Sequence, residues 1–115
     1  MTIEVDVWVR GTLHAQTHRI DSLPDNFADW RDDDVRHLLV EMLLALEREK
    51  NPGGDPPPVT LRGFSWIVSD DAESGGVLVH LEMQMGTASA GPIAIDAGRL
   101  SAMVQRVMWP AERVH

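Results

Sequence analysis

At 115 residues, 43% apolar and 24% charged, the chain has the balance of a folded protein and a length suited to one core, so residues 1–115 are expected to form a single domain. Its formal charge of −8, from 18 acidic and 10 basic residues, repels phosphate backbones and anionic lipid and sets nucleic acid and membrane surfaces aside as partners. With no cysteine, the chain has no disulfides, thiolate metal sites or thiol nucleophiles.

The opening MTIEVDVWV has no basic n-region and no continuous apolar run, so it does not read as a signal peptide. The longest apolar stretch, LLVEMLLAL, is nine residues broken by Glu41, short of the roughly 20 that span a bilayer. A cytoplasmic location is expected. Within the opening, Ile3, Val5, Val7 and Val9 alternate with Glu4, Asp6, Trp8 and Arg10, the period of a strand with one buried face. The alternation resumes at Leu13 and Ala15 and fades toward Ile20, giving a hairpin turned at Arg10-Gly11-Thr12 or one long strand.

Residues 21–31, DSLPDNFADWR, read as a turn-rich connector with Phe27 and Trp30 tucked inward. Val35, Leu38, Leu39, Met42, Leu43 and Leu46 then recur at helical period, predicting a helix that ends near Lys50. NPGGDPPP stops it and favours a stiff, extended loop. Residues 59–68, VTLRGFSWIV, are apolar on both faces and suit an inner strand. SDDAESGG turns the chain into Val77, Val79, Leu81, Met83 and Met85, a second half-buried strand. GTASAGPIAI is either a bent continuation of that strand or a short edge strand. Asp96 then caps a helix with an apolar stripe at Ala97, Leu100, Met103, Val104, Val107 and Met108, ended by Trp109-Pro110. The expected fold is α+β, an antiparallel sheet of about four strands with two helices packed against it, in the order ββ-α-ββ-α.

DDDVRH, residues 32–37, gathers three carboxylates and an imidazole. On a helix, Asp33, His37 and Glu41 fall within an arc of about 80°, which invites a metal. A helix start also leaves unpaired N–H groups and a partial positive charge, which Asp32, Asp33 and Asp34 satisfy by themselves. No convergent ligand from another element can be named. The helix-end reading is preferred, and no metal or cofactor is expected.

His14 and His18 share a strand face if the strand runs on, with Trp8 on the same face and His80 on the polar side of a later strand. Trp8, His14, His18 and His80 therefore make a candidate ligand pocket if the sheet order brings them together. TASAG lacks the first glycine of a nucleophile elbow, so Ser89 is not expected to be a nucleophile.

The feature carrying most weight is on the first helix. Val40 and Leu44 fall outside the core stripe, in the arc of Asp33, Arg36, His37, Glu47 and Arg48, where an aliphatic pair needs a cover. The proline loop or the tail WPAERVH could supply it, as could another protein. Residues 21–34 hold six Asp against one Arg, whereas Arg99, Arg106 and Arg113 recur at sevens, so an acidic end facing a basic stripe is a second handle for association. The leading expectation is a small non-catalytic protein-interaction or assembly module, a homodimer, contacting its partner through Val40, Leu44, Asp33, His37 and Arg48. The alternatives are a small ligand-binding protein or enzyme with the sheet-face pocket, and an acidic neutralising partner of a basic protein.

Overall fold

A computed structural model describes residues 2–55, 61 and 64–108. Strand β1 (Ile3–Val9) is followed by β2 (Gln16–Ile20), a 3-10 turn (Phe27–Asp29) and helix α1 (Asp32–Lys50). Three more strands come next, β3 (Ser65–Asp70), β4 (Val77–Met83) and β5 (Gly86–Ile93), and helix α2 (Ala97–Met108) closes the described chain. The fold is α+β, with five strands in the spatial order β2-β1-β5-β4-β3, antiparallel at every pairing.

The alternation in β1 works as its period dictates: Ile3, Val5 and Val7 are buried while Glu4 and Asp6 face solvent. Register carries this one-sidedness across the sheet. Val7 pairs with Ala88 and Ala88 with Leu81; Val5 pairs with Ala90 and Ala90 with Val79. Both helices pack together, α1 on β1, β5 and β2 and α2 on β3. The buried residues form one cluster in which Leu38, Leu39, Met42 and Leu46 of α1 and Leu100 and Val104 of α2 are fully covered. Each such side chain contributes roughly 1.5–3 kcal/mol relative to exposure.

Residues 86–93, undecided between a bent continuation and an edge strand, form the central strand. Small side chains hid this from hydropathy: Ala88 and Ala90 are completely buried but add little apolar mass to a sequence window. Gly86 is required by close approach, since a Cβ there would stand 2.0 Å from the Trp8 carbonyl oxygen. Pro92, with no N–H to give, falls at the end of the strand where the β4–β5 register shifts between Val77 and Val79.

Three further expectations are corrected. Residues 59–68 were to form an inner strand; its described part, β3, is an edge strand, and Ile67 is 61% exposed. Apolar residues on both its faces reflect packing of Trp66 and Val68 on the core side and exposure of Ile67 on the other, not burial of both. The first hairpin turns over residues 10–15 rather than 10–12, so Leu13 is 92% exposed instead of continuing the alternation. The sheet has five strands rather than about four. The prolines at 56–58 and the tail from Trp109, with Arg113, lie outside the described residues.

The helix boundaries follow their capping chemistry. Asp32, Asp33 and Asp34 occupy the first turn of α1, and Asp34 Oδ2 accepts the Arg31 N–H at 2.8 Å. Asp96 Oδ2 accepts the Arg99 N–H at 2.8 Å and starts α2. Replacing Gly86 by alanine is expected to prise β1 from β5, costing about 2–3 kcal/mol in urea denaturation with an unchanged slope. Full stability in that variant would mean the two strands have room to part.

Candidate functional site

Among the described residues the sheet has helices on one face only, so outward positions of adjacent strands form polar rows. The row through the middle runs Thr17, Asp6, Ser89, His80, Ile67 in strand order. Thr17 Oγ1 donates to Asp6 Oδ1 at 2.6 Å. His80 Nδ1 lies 2.8 Å from Ser89 Oγ, and its Nε2 lies 3.1 Å from Ser69 Oγ. A neutral imidazole satisfies both serines by donating to one and accepting from the other, so this ring is held at both nitrogens. The sequence raises Ser89 only as a nucleophile and Ser69 not at all, because the two meet His80 only once strand register is fixed.

The four residues of the candidate pocket are not brought together. Trp8 is on the open face with His80, its indole N–H donating to the Thr12 carbonyl at 3.1 Å. His18 pairs with Val5, a residue of the opposite, helix-covered face, and its Nε2 sits 2.8 Å from Glu49 Oε1 of α1. His14 is in the hairpin loop, where it lines a cavity of about 80 Å³ with Val7, Val9, Thr12, Gln16 and Glu49. That cavity lies on the helix side and is far smaller than the roughly 300 Å³ of ordinary ligand pockets. The shared face expected for Trp8, His14 and His18 assumed an unbroken strand; the six-residue loop and the antiparallel return reset the alternation.

The α1 residues divide differently. Asp33 and Arg48 are exposed, and Val40, Leu44 and His37 are half-buried. His37 Nε2 lies 2.5 Å from Ser22 Oγ, tying the helix to the connector. Among the described residues no three His, Asp or Glu converge to hold a metal ion. Val40 and Leu44 point to the side of the helix opposite Val35, Leu39 and Leu46 and lie outside the hydrophobic cluster that buries those three. Leu43, one step round, packs against the cluster.

Arg99 and Arg106 of the basic stripe have partners within the chain, although Arg106 remains exposed. Arg106 Nε and Nη2 each donate to an Asp32 carboxylate oxygen at 2.9 Å, a two-bond fork joining α2 to the start of α1. Arg99 donates to the carbonyls of Phe27, Ala28 and Trp30, ending the 3-10 turn. Acidic and basic segments thus meet inside the chain. An open groove of about 420 Å³ runs beside them, with Trp30 at its base and Asp33 at its rim.

The Arg106 hydrogen bond and charge hold the Asp32 carboxyl below the usual carboxylate range. A carboxylate with a depressed folded-state pKa adds stability at pH values above its unfolded pKa, and that contribution disappears as pH falls through the folded pKa. Carbon-detected NMR titration is expected to find Asp32 titrating below an ordinary aspartate, and Arg106→Gln to return it to the ordinary range. An unmoved titration in the variant would mean the fork does not persist in solution.

Among the described residues no helix is long and apolar enough to cross a membrane. No protein-family model, curated protein or solved structure matches the chain.

Proposed function

We propose that this protein is a small non-catalytic assembly module whose copies pair through the outer face of α1. The observation that carries the reading is the placement of Val40 and Leu44: two aliphatic side chains aimed away from the core, outside the cluster that packs the rest of the helix. Both are half-buried within the chain, so covering the remainder contributes roughly 1 kcal/mol each, a modest addition to an interface.

The charges of α1 favour a second copy as occupant. The first turn carries Asp32, Asp33 and Asp34 and the last turn Arg48 and Lys50. Two such helices laid antiparallel bring the Val40 of each toward the Leu44 of the other and the Asp33 of each toward the Arg48 of the other, with Glu47 and Glu49 interleaved in the last turn. Opposed helix dipoles add to that attraction. His37 and Asp33 then border the apolar centre. The polar groups that would otherwise suggest chemistry are engaged in holding elements together: His18 with Glu49, His80 with two serines, and Arg99 with three carbonyls. These contacts support a scaffold rather than a reaction centre.

Light scattering across a dilution series is expected to give wild type a mass above one chain. Val40→Asp with Leu44→Asp should weaken association by at least about tenfold, with circular dichroism unchanged. A wild-type mass unaffected by this double variant overturns the α1 contact.

A further inference from the structure

We infer that the β3 edge is a second self-association surface, where β3 pairs antiparallel with β3 of another copy and the two sheets join into one of ten strands. This goes beyond the α1 contact and does not depend on it.

The direction of the free peptide groups follows from the β3–β4 ladder. The Asp71 N–H donates to the Gly76 carbonyl at 2.8 Å, and the register pairs Ile67 with His80 and Ser65 with Glu82. Hydrogen-bonded and non-bonded pairs alternate along an antiparallel ladder. Residues 65, 67 and 69 therefore turn their N–H and C=O toward β4, and Trp66, Val68 and Asp70 turn theirs outward. Among the described residues nothing accepts or donates to those outward groups.

Sheet edges are ordinarily guarded by charges, prolines or bulges. The opposite edge, β2, carries Arg19 and His18 among short polar residues. From Phe64 to Ser69 the β3 edge has no charge, in a chain whose formal charge is −8. Asp70, at the end of the strand, is its one charge, so recognition over Phe64 to Ser69 rests on backbone hydrogen bonds and apolar fit.

The strand is complementary to itself. With a two-fold axis at Ile67, the Ile67 side chains of the two copies face each other on the open side of the sheet. Trp66 of each copy then stands opposite Val68 of the other on the helix side. Aromatic with β-branched and aliphatic with aliphatic are favourable cross-strand pairs. Trp66 and Val68 are also the residues whose peptide groups point outward, so in this register they form the hydrogen-bonded pairs and Ile67 the non-bonded one. Ile67, at 61% exposure, is the larger part of what the pairing covers on the open face. One strand pair is a small contact, so the dimer is concentration-dependent.

The test separates the two surfaces by working in the Val40→Asp, Leu44→Asp background. That protein should still dimerise at high concentration in sedimentation equilibrium. Adding Ile67→Lys, at an exposed position that tolerates it, should weaken the dimer by about tenfold or more, because like charges then face each other. Ile67→Glu should do the same, and a one-to-one mixture of the two should restore a dimer. Val68→Pro removes an outward N–H together with a side chain packed on the core, and should also abolish pairing, with thermal melting confirming a folded chain. A background protein that stays monomeric overturns the β3 inference while leaving the α1 reading intact. A dimer that survives both Ile67→Lys and Val68→Pro, or a Lys–Glu mixture that stays monomeric, also overturns it. Loss of association through Ile67→Lys alone, with the α1 variant indistinguishable from wild type, supports β3 and removes α1.

Discussion

Val5, Ala90 and Val79 lie side by side across three strands, with Val7, Ala88 and Leu81 in the next row, and on this patch α1 sets Leu38, Leu39, Met42 and Leu46. The alanines in the middle matter as much as the leucines around them. A larger side chain at position 88 or 90 would lift α1 from the sheet, because interiors are packed to the density of organic crystals and do not absorb added volume. Gly86 plays the same part within the sheet, letting β1 approach where no Cβ fits. The remaining architecture depends on this tight central strand carrying its apolar side chains to one face.

One-sided burial has a direct consequence for the other face. Every outward position of the same strands must be compatible with water, and the row from Thr17 to His80 satisfies its polar groups laterally. Three of the histidines that suggest chemistry in the sequence have structural duties: His18 joins β2 to α1 through Glu49, His37 joins α1 to the connector through Ser22, and His80 staples β3, β4 and β5 through two serines. Arg99 and Arg106 likewise bind α2 to the segment around the start of α1. Exposed ion pairs contribute little individually, but Arg99 also gives the Ala28 and Trp30 carbonyls a partner and adds a second donor to the Phe27 carbonyl, which accepts the Trp30 N–H.

With so much polarity engaged inside the chain, the features that stand apart are apolar and backbone groups: the outer strip of α1 and the outer edge of β3. They sit on different layers, one on a helix above the sheet and one at the sheet's margin. Two isologous contacts on one chain do not compete for the same surface, and a chain that uses both grows past a closed dimer unless the two axes happen to close. The proposed function is therefore one of assembly, with the helix contact helped by Asp33 facing Arg48 of the other copy and the strand contact by the uncharged run from Phe64 to Ser69.

The sequence by itself determined β1, β4, α1 and α2, because each buries one face over enough residues for period 2 or 3.6 to show, and it determined the helix start at DDD because capping is local. It determined likewise that Val40 and Leu44 lie off the core stripe, a matter of angle on one helix. The pairing of strands was decided only by tertiary structure. Which strand is central depends on contacts between residues some eighty positions apart, such as Val7 with Ala88, and small residues leave no hydropathic mark of being central. The same holds for the separation of Trp8 from His18, the gathering of Ser69 and Ser89 about His80, the capture of Arg106 by Asp32, and the exposure of Ile67. Each depends on register or on which element reaches an edge, and periodicity along one segment does not contain that information.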